Sequence, residues 1–214
     1  MQIIAHRGFW FKESEKNNTK SFNRATRNNF GIETDIRDYC GELVISHDIP
    51  TSDSLLLVDF IENYFRNLLD KKNPPYLALN IKSDGLYEKL RRILNENNII
   101  NYFVFDMSIP DTFSYLHGHM DVYLRQSEFE IVSSHFNNCK GIWLDQFESN
   151  WYNSEFIYEQ LQKWKNVCIV SPELHGRDYI ECWDILKNIE LSVACNLMIC
   201  TDYPDKAREY FEQN

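Results

Sequence analysis

Glycine is scarce, seven in 214 residues, and no glycine-rich phosphate loop of the G-x-G-x-x-G kind follows the first apolar run. That sets the chain apart from open doubly wound nucleotide-binding sheets. The six cysteines (Cys40, Cys139, Cys168, Cys182, Cys195 and Cys200) form no C-x-x-C pair and no metal-finger spacing. A disulfide framework or zinc module is therefore not expected, and Cys168, Cys195 and Cys200, set in apolar runs, read as small buried hydrophobes. Basic residues are outnumbered, 22 against 32 acidic, for a net charge of −10. This opposes nucleic acid or an anionic membrane as the main partner, since both need a basic face. No apolar run has the length of a membrane span, and the chain enters its first strand at Gln2-Ile3-Ile4 without a signal-peptide pattern. The expectation is a cytoplasmic protein with no membrane insertion. Linkers, charge blocks and repeats are also missing, so residues 1–214 read as a single domain.

What is present is alternation. Apolar segments at 2–6, 31–36, 43–47, 76–82, 102–106, 121–125, 141–145, 167–171 and 194–200 read as strands. Amphipathic segments between them read as helices: Thr19 to Asn29, a stretch from Leu55 to Leu69 capped by Asp53, Asp84 to Asn95, and regions near 110–117, 128–136, 153–164, 178–188 and 204–213. Strands 31–36 and 43–47 join through the turn Tyr39-Cys40-Gly41-Glu42. Counting only strands that a helix follows gives about eight βα units, the pattern of a compact (β/α)8 TIM barrel of the α/β class. Its active face lies at the C-terminal ends of the strands. His6, Glu33, Asp35, His47, Asn80, Lys82, Asp106, Asp145, Glu173 and Asp202 all fall near such ends.

Three short segments share one chemistry. His6-Arg7-Gly8 closes Ile3-Ile4-Ala5, Glu33-Thr34-Asp35 lies within 31–36, and His47-Asp48 closes Leu43-Val44-Ile45-Ser46. Strand side chains alternate faces, so Glu33 and Asp35 point the same way. Paired carboxylates with two histidines and an arginine are the parts needed to bind a divalent cation and move protons around a phosphate. In an acidic protein that phosphate must be met by local cations, of which Arg7 and Lys82 are the candidates.

H-R-G, then an E-x-D strand, then H-D after an apolar strand resembles the glycerophosphodiester phosphodiesterase family, within the wider phosphatidylinositol-phospholipase-C-like superfamily. Leu79-Asn80-Ile81-Lys82 resembles that family's third-strand E-x-K, and Thr201-Asp202-Tyr203-Pro204 its last-strand T-D-x-P. Gly141–Asp145 and Ser171–Arg177 resemble a compact bacterial branch. The chain departs from the family twice. Lys16-Asn17-Asn18-Thr19 stands where a Glu-Asn pair is usual, so the acid is lost and the asparagine is read as Asn18. Asn80 replaces a metal-binding glutamate, keeping a carbonyl oxygen without its charge.

The resemblance implies a phosphodiesterase in which His6 and His47 act as general acid and base. It also implies a Mg²⁺ or Ca²⁺ ion on Glu33, Asp35 and Asn80. Arg7 and Lys82 would hold phosphate oxygens, and Trp10, in the loop past H-R-G, would shape the substrate pocket with Phe11. The substrate expected is a small glycerol- or polyol-linked diester, or the end of a phosphodiester-containing glycan. The competing reading is a barrel that has lost turnover and binds a phosphorylated metabolite or a partner protein. Glu173 and His175 are candidates for substrate contact or for a capped loop, and Asp145 and Asp202 for helix caps.

Overall fold

The computed structural model describes residues 1–132, 138–164, 166–190 and 196–212. The chain forms two compact units, one of Ala5–Val122 and one of Met1–Ile4 with Tyr123–Asn214.

In the first unit, β1 (Gln2–His6) brings Ala5 and His6 beside β2 (Gly31–Tyr39), whose residues from Gly31 to Ile36 are all buried. A strand covered on both faces needs such a continuous run, which is why the acids Glu33 and Asp35 are out of place there. The hairpin from β2 to β3 (Glu42–Ile45) turns at Cys40 and Gly41, with φ of +49° and +83°. Two left-handed residues match the strand twist in a two-residue turn. On its other edge β2 pairs in parallel with β5 (Leu77–Ile81), Asp35 opposite Asn80, and β5 pairs in parallel with β6 (Tyr102–Phe105).

Helix α1 (Thr19–Arg27) starts where the Asn18 side chain accepts from the backbone N–H groups of Lys20 and Ser21, at 2.9 and 3.2 Å. It buries Phe22 and Ala25, and Phe22 meets Phe60 edge-on at 4.7 Å. Phe60 belongs to α2 (Leu57–Asn67), which differs from expectation. Asp53 does not cap it, and Leu55 and Leu56 are not helical. They form β4 (Leu55–Leu56), antiparallel to Ile45 and Val44 of β3. Ladder pairing with an adjacent strand has outweighed local helix preference. Helices α3 (Tyr87–Glu96) and α4 (Ile109–His117) follow, α3 burying Leu90, Ile93 and Leu94 as its spacing requires. Asn29, Asn98 and His119, one residue past the caps of α1, α3 and α4, take φ of +57°, +52° and +58°. They end these helices in the left-handed manner usual at such positions.

The second unit is a parallel ladder of β7 (Tyr123–Gln126), β8 (Gly141–Leu144), β9 (Asn166–Val170) and β10 (Leu197–Thr201), with the first residues of β1 beside β10. Helices α5 (Ser154–Trp164), α6 (Ile180–Lys187) and α7 (Pro204–Glu212) cover it. Trp164 and Trp183 join Ile142, Leu144, Ile169 and Ile199 in the core. Residues 128–132 are not helical, contrary to the reading of 128–136, whose remainder lies outside the described residues. The Ser127 hydroxyl accepts from the N–H groups of Phe129 and Glu130, both at 3.2 Å, and folds the segment into a turn instead. Cys195 and the start of the 194–200 segment also lie outside the described residues. No described helix is long and apolar enough to cross a membrane.

Candidate active site

Three neighbouring strand ends of the first unit converge their charges. The buried Glu33 and Asp35 project from β2. His6, closing β1, brings Nε2 to 3.9 Å from Glu33 Oε2. The backbone N–H of Arg7 donates to the same Glu33 oxygen at 3.2 Å, while Arg7 Nε lies 3.2 Å from Asp35 Oδ2 as an ion pair without an aligned hydrogen bond. Lys82, just past β5, places Nζ 3.4 Å from Asp35 Oδ1 and 3.9 Å from Asp106 Oδ2. Of the sequence candidates, His6, Arg7, Glu33, Asp35 and Lys82 are therefore brought together, with Asn80 beside Asp35 in register.

The asparagine that reaches this group is Asn17, not Asn18, the residue read as the family's asparagine. Asn17 Nδ2 donates to Asp35 Oδ2 at 2.7 Å, and its Oδ1 accepts from the Thr34 hydroxyl at 2.9 Å. Asn18 is occupied as the cap of α1. Sequence could not separate the two, because both asparagines suit the end of a loop. Backbone geometry does: Arg7, Asn17 and Asp106 have φ of +55°, +55° and +68°. For side chains larger than glycine that conformation costs energy, and it clusters where function demands a fixed placement. Arg7 is held there through its carbonyl, which accepts from the Asn17 N–H at 3.0 Å and the Ser21 hydroxyl at 3.2 Å.

Two buried acids two residues apart are only partly neutralised. Burial and the charge of Asp35 push the Glu33 carboxyl up to about 8, against the opposing pull of Arg7 and Lys82. Asn80 Oδ1 is buried and accepts no hydrogen bond, and Asp35 Oδ1 likewise has only its ion pair with Lys82. Oxygen atoms left unsatisfied in an acidic setting fit a hard divalent cation. Among the described residues no three of His, Cys, Asp and Glu converge as a ligand set.

His47 lies two residues beyond β3 rather than on it. Ser46 N–H donates to the Asp35 carbonyl at 3.0 Å, and Arg37 donates twice to the His47 carbonyl, at 3.1 and 3.0 Å. Its ring Nδ1 is 2.9 Å from Asp48 Oδ1. His47 and Arg7 line one cleft of the first unit. Trp10 Nε1 donates to the His6 carbonyl at 3.1 Å and its ring lies under Lys16 Nζ at 4.3 Å. Its indole thus anchors the start of the loop.

The second unit has polar strand ends of its own. His175 Nε2 is 2.7 Å from the buried Asp145 Oδ1, and the His175 ring packs on Phe147 at 4.6 Å. Glu173 accepts from the hydroxyls of Ser171 and Thr201 and, at 3.1 Å, from the Asp202 N–H. Burial raises its carboxyl above the ordinary range. These bonds make Glu173 the tie between β9 and the residues after β10.

No protein-family model and no curated protein matches the sequence. Solved structures do. An Oleispira antarctica phosphodiesterase in complex with the product sn-glycerol-3-phosphate aligns over 100% of this chain and 97% of its own, with a TM-score of 0.72 and 14% identity. Glycerophosphodiester phosphodiesterases from Parabacteroides distasonis and Agrobacterium tumefaciens give TM-scores of 0.68 and 0.65, at 13% and 14% identity. Each covers 98% of this chain, over 96% and 99% of its own length respectively. The chain shares their fold. The α/β architecture with a largely parallel sheet, expected from the alternation of segments, is thus the one that glycerophosphodiester phosphodiesterases adopt.

Proposed function

We propose that the chain is a phosphodiesterase that cleaves a small glycerol- or polyol-linked phosphodiester, with His6 and His47 exchanging the protons. The observation that carries this reading is the convergence of His6, Arg7, Glu33, Asp35 and Lys82 from adjacent strand ends, in a fold shared with enzymes of that activity. The full-length alignments support treating residues 1–214 as one catalytic domain. The free cysteines among the described residues support a cytoplasmic location.

His6, steadied by Glu33, and His47, steadied by Asp48, are suited to take a proton from the attacking hydroxyl and return one to the leaving alkoxide, since imidazole titrates near neutrality. Arg7 and Lys82 offer cationic donors to phosphate oxygens. Trp10 fixes the carbonyl of His6 and so the aim of its ring. Glu33, Asp35 and Asn80 would hold Mg²⁺ or Ca²⁺, which when bound supplies positive charge at the phosphate.

A second reading, a phosphate-binding barrel without turnover, draws on Asp35 already being met by Arg7 and Lys82. One experiment separates them. Glycerophosphodiesters and an aryl phosphodiester are offered with Mg²⁺, Ca²⁺, Mn²⁺ or EDTA, to the parent protein and to His6→Ala and His47→Ala. Turnover lost in either variant supports the two-histidine phosphodiesterase, and its loss in EDTA supports the cation. A folded protein inactive on every diester supports the binding barrel.

A further inference from the structure

The cleft that Arg7, Asn17 and His47 line measures about 630 Å³. Ser46, Thr51 and Ser54 add hydroxyls to its wall, and no Phe, Tyr or Trp is among its lining residues. Apart from Ile45 and Leu55 the wall is polar or charged, which suits a hydrated, polar alcohol.

Two pairs in this cleft set a basic side chain against a more exposed carboxylate. Lys16 Nζ is 2.8 Å from Glu13 Oε2, with the lysine side chain 19% exposed and the glutamate 78%. His47 Nδ1 is 2.9 Å from Asp48 Oδ1, the side chains 45% and 92% exposed. The Lys16 ammonium is sheltered while Glu13 stands in solvent, and in the second pair the His47 ring is itself exposed and Asp48 more so. Such carboxylates are weakly held, because water screens the pair and the long acidic side chain loses freedom by staying. An incoming anion that displaces Glu13 takes its place beside the Lys16 ammonium. Lys16 stays in place without Glu13, since its ammonium also rests over the Trp10 ring at 4.3 Å. Arg7, the remaining cation of the wall, is already engaged by Asp35.

The phosphodiesterase reading accounts for one anion, the scissile phosphate next to His47 and Arg7. It leaves Lys16 over. We propose that Lys16 is a specificity residue that receives a second anionic group. On this reading the cleft selects a phosphodiester whose polyol alcohol itself bears a phosphate or carboxylate, as the next linkage of a polyol-phosphate chain does. Glu13 occupies the position of that group until substrate arrives. The proposal rests on the phosphodiesterase reading for its substrate, but not for its anion site.

Two measurements keep those apart. The first is the ratio of kcat/KM for a diglycerol phosphodiester carrying a terminal phosphate to that for the same diester without it. The second is calorimetric binding of glycerol bisphosphate against glycerol monophosphate, which needs no turnover. In the parent protein both favour the doubly anionic compound by about tenfold to a hundredfold, the range for one charge-assisted contact, and salt weakens the preference. Lys16→Gln brings both ratios towards one, Lys16→Arg keeps them above one, and Glu13→Gln raises affinity for the bisphosphate. Binding preference that depends on Lys16 in a protein without turnover would sustain the anion site and overturn the phosphodiesterase reading. Ratios unchanged in a folded Lys16→Gln variant overturn the proposal, as does a parent protein that binds both probes equally or neither.

Discussion

Gly8 offers a sharp test of how the H-R-G segment is built. Its φ is +85°, and a Cβ added there would lie 2.5 Å from Ser21 Oγ and 2.9 Å from the Ser21 carbonyl carbon. Gly85 has nearly the same φ, +82°, yet a Cβ there meets nothing within 4 Å. Gly85→Ala therefore isolates the backbone cost, about 1–2 kcal/mol for a side chain in the left-handed region. Gly8→Ala adds an overpacking cost of about 1–3 kcal/mol, and because one clashing atom is backbone, no change of rotamer relieves it. Ser21 is also fixed, its carbonyl accepting from the Phe9 N–H at 3.1 Å and its hydroxyl holding the Arg7 carbonyl. At about 2–4 °C per kcal/mol for a chain of this size, Gly85→Ala lowers Tm by about 2–8 °C and Gly8→Ala by about 4–20 °C. Calorimetric unfolding of the two variants under one condition gives the comparison. Any way that Gly8→Ala relaxes moves Arg7, so diester turnover falls with it while Gly85→Ala retains activity. Equal losses of Tm in the two variants would refute the close approach of Gly8 to α1.

Four further outcomes are expected. Asn17→Ala removes the bonds to Asp35 and Thr34 and lowers kcat/KM by about tenfold to a hundredfold, whereas Asn18→Ala costs about 1 kcal/mol of stability as a lost cap; the reverse pattern in kinetics and melting would restore Asn18 to the site. Asn80→Asp adds a third carboxylate beside Asp35, so Tm falls in EDTA and calorimetry shows divalent binding tighter by roughly tenfold or more; unchanged affinity removes Asn80 from the metal set. The contacts of Glu15 with Lys20, the Phe11 N–H and Arg24 lower its carboxyl from 4.5 to about 2. The stability it provides is complete above pH 4.5 and is lost as pH falls towards 2, so Glu15→Gln flattens the acid limb of a Tm-against-pH curve, and an unaltered limb rejects that role. Trp183→Phe leaves the Ser171 hydroxyl, which the indole N–H meets at 2.8 Å, without that donor; a loss of about 1–3 kcal/mol in urea unfolding is expected, and no loss rules the bond out as a stabilising contact.

The sequence made the fold legible wherever burial imposed a period. Continuous apolar runs such as 31–36 and 77–81 became the parallel strands, and the spacing of Leu90, Ile93 and Leu94 became the inner face of α3. It misled where pairing between segments decided the outcome. Nothing local distinguishes Leu55 and Leu56 from the first turn of a helix, because the ladder they join is set by Val44 and Ile45 earlier in the chain. The H-R-G and E-x-D segments meet at neighbouring strands, whereas His47 shares only a cleft wall with Arg7. The choice between Asn17 and Asn18 was not legible, because the bonds that set it, from Asn17 to Arg7, Thr34 and Asp35, join segments distant in sequence. The inward and outward members of the Lys16 and Glu13 pair were equally hidden, as sequence carries no record of which partner is sheltered.

Apart from Cys40 in the hairpin turn, the non-glycine residues with positive φ fall into two populations, and that division is a guide to redesign. At Asn29, Asn98 and His119 the chain merely turns a corner, so glycine there relaxes the backbone and asks nothing in return. At Arg7, Asn17 and Asp106 the same exchange would ease the backbone while erasing a charge or an amide from the site. A glycine scan scored for heat resistance alone would rank both groups as improvements. Scored for heat resistance and diester turnover together, it would separate these residues from the others without any substrate having been identified.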